Sequence, residues 1–438
     1  MKQTSHFLIG ATSSGGGKTT FTTGLLRLLR DKGLKVQPYK CGPDYIDTKY
    51  HEMASGSGSV NLDLWLSSPR HIKEIYAKYA VGADVCVTEG VMGLFDGFDG
   101  MEGSSAAIGE LLDIPIVLVV NAKSTSYTVA PIIFGFKHFY PSFRIAGVVF
   151  NQVASERHYS FLQKACEDVG VECFGYLPRL KELEVPSRHL GLTLDASYQF
   201  DEFAATVAEA IDKHIKVDRI LETCRAVLPV EQVGTIRKGN YKIAVARDAA
   251  FNFIYRENLS RLEELGTVSF FSPMNDTHLP DCDLVYLPGG YPEFFLKELE
   301  GNISIKQQLK EYVENGGHLL AECGGMMYLC DSIRGMDGKA YAMVGLLHQQ
   351  ATMENMKLRL GYRTLRIREQ LWKGHEFHYS SIQENAVNRE SSQFASITEA
   401  TDAKGNPVGT PLYRYKNLIA GYTHLYWGET ELMKLWNQ

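Results

Sequence analysis

An α/β protein built from two domains, each around a parallel sheet, is predicted by three observations. Short apolar runs are bounded by loops, amphipathic stretches of helical period lie between them, and a glycine-rich turn joins the first run to the first helix. Length agrees: 438 residues exceed what one hydrophobic core organises, and 45% hydrophobic with 22% charged residues is the composition of an ordinary folded chain.

The elements follow in order. Phe7-Leu8-Ile9 is the first strand, Gly10 to Thr20 the turn, and Lys18 to Arg30 a helix whose Phe21, Leu25, Leu28 and Leu29 share one stripe, with Gly33 as its stop. Asp84 to Thr88, Ile114 to Val120 and Ile145 to Phe150 are further buried strands, spaced for crossover helices. An amphipathic helix is expected over Phe203 to Ile215. After it, Glu222 to Asn240 mixes Pro229, Gly234, Gly239 and charges without a period. The expected division is therefore a first domain over 1–222, a linker over 223–240 and a second domain over 241–438. The second domain opens with the strand Lys242 to Ala246 and continues with Leu284 to Leu287 and His318 to Ala321.

The net charge of −6 argues against nucleic acid as a partner, since a polyanion binder is basic. The apolar run Ile114 to Val120 is far below the ~20 residues of a membrane span, and no long apolar segment marks a signal peptide, so no membrane partner is expected. Cysteines at 41, 86, 166, 173, 224, 282, 323 and 330 include no CxxC pair and read as reduced thiols in a cytoplasmic protein.

The turn Gly10-Ala11-Thr12-Ser13-Ser14-Gly15-Gly16-Gly17-Lys18-Thr19-Thr20 has the order of a phosphate-binding loop. Gly15, Gly16 and Gly17 let backbone N–H groups face a triphosphate, Lys18 reaches the terminal phosphates, and Thr19 and Thr20 add hydroxyls, that of Thr19 toward Mg²⁺. Thr12 stands where the usual loop opens with glycine, so the loop is a variant. Two acidic segments follow strands, where an open α/β sheet carries its functional loops. They are Lys40-Cys41-Gly42-Pro43-Asp44-Tyr45-Ile46-Asp47 and Glu89-Gly90-Val91-Met92-Gly93-Leu94-Phe95-Asp96-Gly97, whose carboxylates with Thr19 form an oxygen set suited to Mg²⁺. Gly103-Ser104-Ser105-Ala106 either caps a helix or lines a substrate site.

In the second half, His318 to Leu329 reads as strand, sharp turn and helix with Cys323 at the turn, the arrangement of a nucleophile elbow. A helix N-terminus there is expected to favour the thiolate, and Gly324 N–H to serve as one oxyanion donor. The glycine pair of Leu287-Pro288-Gly289-Gly290-Tyr291-Pro292-Glu293 supplies the second, and His424 is the candidate base. In Gly374-His375-Glu376-Phe377-His378-Tyr379-Ser380 strand alternation separates His375 from Glu376 and His378, which favours a substrate-binding or interdomain role over metal.

Taken together, these segments, with Arg188-His189-Leu190-Gly191-Leu192, resemble the cobyrinic acid a,c-diamide synthases, glutamine-dependent amidoligases of corrinoid biosynthesis. The resemblance runs nearly end to end. It implies an N-terminal P-loop NTPase domain of dethiobiotin-synthetase type and a C-terminal class I glutamine amidotransferase domain of flavodoxin-like fold. It also implies ATP and Mg²⁺ as cofactors, glutamine and a corrinoid as substrates, and allows a homodimer. By position, Gly15 to Thr20 hold the nucleotide and Asn151 its adenine, while Thr19, Asp47 and Glu89 hold the metal and the reaction centre. Tyr45, Ile46 and Asp96 present the ring carboxylate. Cys323 forms the γ-glutamyl thioester, His424 is acid and base, and Gly290 with Gly324 forms the oxyanion hole.

Two departures stand out. Many class I glutaminases carry His-x-Glu, but Tyr426 stands two residues after His424 here, so the resemblance implies a Cys–His dyad gated by the partner domain. Ala321 replaces a common elbow glycine. Nickel-sirohydrochlorin a,c-diamide synthases have much the same motifs; cobyric acid synthases share the two-domain plan but are usually longer, and the Tyr45 segment fits the diamide synthases better. From another class, a partitioning-type ATPase shares the variant loop, although it has no use for the Cys323 elbow.

Overall fold

The computed structural model describes residues 3–140, 142–179, 200–227, 238–383 and 396–436. Arg188 to Leu192 and most of the expected linker lie outside them. The chain divides into two compact units, Met1–Gly234 and Thr235–Gln438.

The first unit is a doubly wound sheet. Its strands run in the order Val60–Leu62, Val36–Cys41, Val85–Glu89, Thr4–Ala11, Ile116–Asn121, Ile145–Val153 and Cys173–Pro178, all parallel. Strand alternation sends Phe7, Ile9 and Ala11 to one face, with Phe21, Leu25 and Val207, while Leu8 joins Tyr39, Ile72 and Ile108 on the other. Both faces are covered by helices, which is why these strands read as unbroken apolar runs. Helix Lys18–Asp31 follows the phosphate loop and ends at Lys32 with Gly33 in the left-handed region, φ 79°. Helix Phe200–His214 begins before the expected Phe203. Arg225 and Ala226 pair antiparallel with Ser5 and Thr4, so the sheet continues into the stretch expected to be linker.

The second unit has a six-stranded sheet in the order Gly266–Phe271, Tyr241–Ala246, Leu284–Leu287, His318–Glu322, Leu418–Gly421 and Leu412–Tyr415, parallel except for the last strand. Ala244 and Ala246 face a core with Leu319 and Met326; Ile243 and Val245 face another with Trp372 and Trp427. Two smaller sheets are built mostly from the chain between the fourth strand and the fifth. One of them pairs Gln370–His378 with both Arg359–Ile367 and His424–Tyr426, and so brings residues far apart in sequence beside the elbow. Among the described residues, no helix is long and apolar enough to cross a membrane.

Candidate active sites

In the first unit the functional groups collect at the carboxyl ends of the central strands. Gly17 closes the loop at φ 101°, and a Cβ there would lie 2.0 Å from Asn151 Nδ2, so only glycine fits against that amide. Asn151 Nδ2 also donates to Gly16 O at 3.1 Å. The strand runs past the expected end at Phe150 to Val153, and Asn151 braces the phosphate loop from within it. Gly15 has φ 72°, Thr20 is buried in the first helical turn, and Lys18 Nζ donates to Met92 O.

Thr19 and both expected acids converge. Thr19 Oγ1 lies 2.9 Å from Glu89 Oε1 and 3.5 Å from both oxygens of Asp47. Between the acids stands Lys40, whose Nζ is 2.6 Å from Asp47 Oδ2 and 3.0 Å from Glu89 Oε1. His51 Nε2 meets Glu89 Oε2 at 2.7 Å, and its Nδ1 meets Ser59 Oγ at 3.0 Å. Lys40, Asp47, Glu89 and His51 are all buried. Burial works against the Lys40 ammonium and the Glu89 carboxylate alike. The attraction of Asp47 and then Glu89 outweighs it for Lys40, holding the ammonium well above its ordinary pKa, and Lys40 with His51 holds Glu89 well below. His51 was missed by the sequence reading, although it stands one turn after Asp47 on helix Ile46–Ser55 and so shares its face.

The surrounding loops are tied internally. Asp44 Oδ1 accepts Ile46 N–H and Asp47 N–H at 2.7 and 2.8 Å, so it starts the helix that carries Asp47. Tyr45 is buried at that helix start and Ile46 half-buried, whereas Asp96 sits in a different loop and accepts Gly93 N–H at 2.9 Å. Ser104 caps helix Ser105–Leu112 through Ala107 N–H, and Ser105 Oγ bridges the N–H and C=O of Val91. The serine segment therefore has the capping role.

In the second unit Cys323 sits between strand His318–Glu322 and helix Gly324–Leu329 at φ 47°, ψ −107°, a strained turn for a residue with a Cβ and the signature of an elbow. Its N–H donates to Gly421 O at 2.7 Å, which ties the elbow to the loop leading to His424. Ala321 is fully buried between Leu287 and Ala420, so the alanine is accommodated. A Cβ on Gly324 would stand 3.1 Å from Gly290 N and 2.8 Å from Pro292 Cδ, which places the two expected oxyanion donors side by side. His424 is buried, and its Cε1 lies 2.1 Å from where a Cβ on Gly289 would be. The structure thus gathers Cys323, Gly290, Gly324 and His424 in one place.

One electrostatic expectation fails. Burial, then the Glu293 carboxylate, push the Cys323 thiol well above its ordinary value; Gly324 N–H opposes them, and Glu376 and Glu322 add smaller upward pushes. The following helix has only six residues, too few for its dipole to offset that burial. Burial likewise lowers the His424 imidazole to about 3, aided by His375 and His378, so both groups rest neutral.

A further carboxylate lies here that the sequence reading did not assign. Glu322 Oε1 accepts Leu425 N–H at 3.0 Å, Oε2 accepts the Tyr286 hydroxyl at 2.7 Å, and Oε2 is 4.0 Å from His424 Nδ1. Burial raises its pKa to about 8. Beside the elbow a cavity of about 320 Å³ is lined by Arg359, Glu376, His378, Thr410 and Tyr422 among others. Glu376 Oε2 pairs with Arg363 Nη2 at 2.9 Å, and His378 stacks on Tyr422 with ring centroids 3.7 Å apart.

Residues 7–192 match the CobQ/CobB/MinD/ParA nucleotide binding domain family, and residues 242–432 match the CobB/CobQ-like glutamine amidotransferase domain family. The chain is 41% identical over 400 residues to a cobyrinate a,c-diamide synthase of Caldanaerobacter subterraneus, covering 86% of each chain. It is 37% identical to one of Picrophilus torridus, over 96% of this chain and 94% of that one. It is also 37% identical to a hydrogenobyrinate a,c-diamide synthase of Brucella anthropi, over 96% of this chain and 98% of the relative. A nucleotide-binding unit followed by a glutaminase unit, matched nearly end to end at this identity, sets aside the partitioning-type ATPase: the chain belongs to the cobyrinate a,c-diamide synthase family of glutamine-dependent amidoligases.

Proposed function

We propose that this enzyme amidates the a and c acetate side chains of cobyrinic acid, using ATP to activate each carboxylate and glutamine to supply each nitrogen. The observation that carries the reading is that one chain holds both a phosphate loop facing buried acids and a cysteine elbow with paired oxyanion donors. Each carboxylate is phosphorylated to an acyl phosphate; ammonia attacks the acyl carbon, and phosphate leaves where a bare oxide would not. Gly15 to Gly17 and Lys18 receive the phosphates. Tyr45, Ile46 and Asp96 belong to the loops that present the ring carboxylate, and Asn151 acts through the loop it braces.

Thr19, Asp47 and Glu89 form an all-oxygen set that fits Mg²⁺, and when bound the ion neutralises phosphate charge. The Lys40 ammonium balances these two acids in its own right.

In the glutaminase half His424 takes the Cys323 proton as sulfur attacks the glutamine amide carbon. Gly290 and Gly324 N–H groups receive the oxyanion, and His424 returns the proton to the departing ammonia. The cavity near the elbow supports this reading, since Arg359 on its wall suits the carboxylate of a free amino acid. Eight free thiols are in keeping with action in the cytoplasm. The test is glutamate release and corrinoid amide formation with ATP and glutamine, comparing cobyrinic acid, hydrogenobyrinic acid and nickel-sirohydrochlorin. Cobyrinic acid is expected to give the diamide, and no amide from any of the three would overturn the proposal.

A further inference from the structure

We infer that Glu322 is the positioning carboxylate of the glutaminase half, orienting His424 and balancing its charge in place of the acid that many related glutaminases carry two residues after the histidine. The inference rests on the glutaminase reading of Cys323 and His424. Tyr426 occupies that later position and packs edge-on against Tyr255, with ring centroids 5.5 Å apart, so it supplies no charge. A carboxylate reaches His424 from another strand instead. Glu322 ends the strand next to the nucleophile and pairs in register with Gly421; the chain then turns, and Leu425 N–H comes back onto Glu322 Oε1 at 3.0 Å.

The two oxygens are fixed from opposite sides, by Leu425 N–H and by the Tyr286 hydroxyl, so the carboxylate cannot swing away from the imidazole. Glu322 is 1% exposed, and among the described residues His424 is the one basic side chain within ion-pair distance of it, 4.0 Å from Oε2 to Nδ1. A buried carboxylate without a cation is costly. It becomes favourable at the moment Cys323 passes its proton to His424, when thiol and imidazole turn into thiolate and imidazolium with no change of net charge. His375 and His378, which also face His424, oppose that imidazolium and leave Glu322 to stabilise it. Burial raises Glu322 to about 8, so on this reading activity is expected to climb as the carboxylate ionises.

The experiment measures glutamate release against pH in the full-length protein for wild type, Glu322→Gln and Tyr286→Phe, with the ammonia-dependent reaction, which uses neither Cys323 nor His424, as the control for folding. Glutamine at 322 keeps acceptors for Leu425 N–H and Tyr286 but cannot carry charge. The expected result is a fall in kcat of about tenfold or more with KM within about threefold. The rise in wild-type rate as pH passes about 8 disappears in Glu322→Gln. In Tyr286→Phe the same rise moves to higher pH, because the lost hydroxyl had favoured the ionised acid. Since burial also raises Glu293, beside Cys323, to about 7, the comparison between variants carries the assignment. A Glu322→Gln enzyme with wild-type kcat, or one that keeps the pH rise, overturns the inference; if that variant fails to fold, an unmoved rise in Tyr286→Phe does so. Wild-type glutamine hydrolysis without any corrinoid amidation would instead overturn the substrate reading and leave this one standing.

Discussion

Lys40 decides what the acids beside the phosphate loop can do. With Nζ 2.6 Å from Asp47 and 3.0 Å from Glu89, it makes two buried carboxylates tolerable together. Replacing it by methionine takes the ammonium away from both, and unfolding free energy should fall by about 3–5 kcal/mol, read from denaturation of the full chain. The pH dependence has a fixed sign. Because Glu89 is held below its unfolded pKa, its contribution is complete above the unfolded carboxylate range and is lost as pH falls through the folded value. Asp47→Asn should abolish amidation with either glutamine or ammonia. Cys323→Ala should lose about ten-thousand-fold or more with glutamine and recover with ammonia. The grouping of Lys18, Thr19, Asp47, Glu89 and Cys323 was legible because each stands in a contiguous motif after a strand, whereas His424 was reached only as the base that the elbow requires. Lys40 was noted only as a neighbouring charge, and Glu322 not at all, because their roles come from burial and from strands that pairing brings together.

At the scale of elements, the elbow works through close approach. Gly324→Ala places a methyl 3.1 Å from Gly290 N, so the two donors must separate, and glutamine hydrolysis should fall by about a hundredfold with the ammonia reaction intact. Stability of the second unit should also rise between about pH 3 and the ordinary histidine value. His424 is lowered to about 3 and His378 to about 4, both mainly by burial, so the unfolded chain binds more protons in that window. Acid unfolding followed by near-ultraviolet circular dichroism checks this; an unchanged midpoint on His378→Gln would contradict it. The long parallel strands could be read from sequence because burial on both faces leaves uninterrupted apolar runs. One of the two small sheets could not: its Ser332–Arg334, Ala340–Ala342 and Gln350–Thr352 have three residues each, too short for a period to show. The strand carrying His375, Glu376 and His378 did show its alternation, but nothing in sequence told that it pairs with His424.

For the whole molecule, the proposed reaction needs both units, one to activate a carboxylate and one to free ammonia. The thiol and imidazole at rest are both neutral, so the glutaminase should be slow by itself and quicken when ATP and corrinoid are bound, a ratio that initial rates of glutamate release measure directly. The measurement that bears most directly on the central claim follows isotopically labelled amide nitrogen from glutamine into the corrinoid by mass spectrometry. Label in both the a and c side chains with ATP present, absent without ATP and absent in Cys323→Ala, is the predicted result. Label that reaches the corrinoid without ATP, or equally in Cys323→Ala, would contradict it.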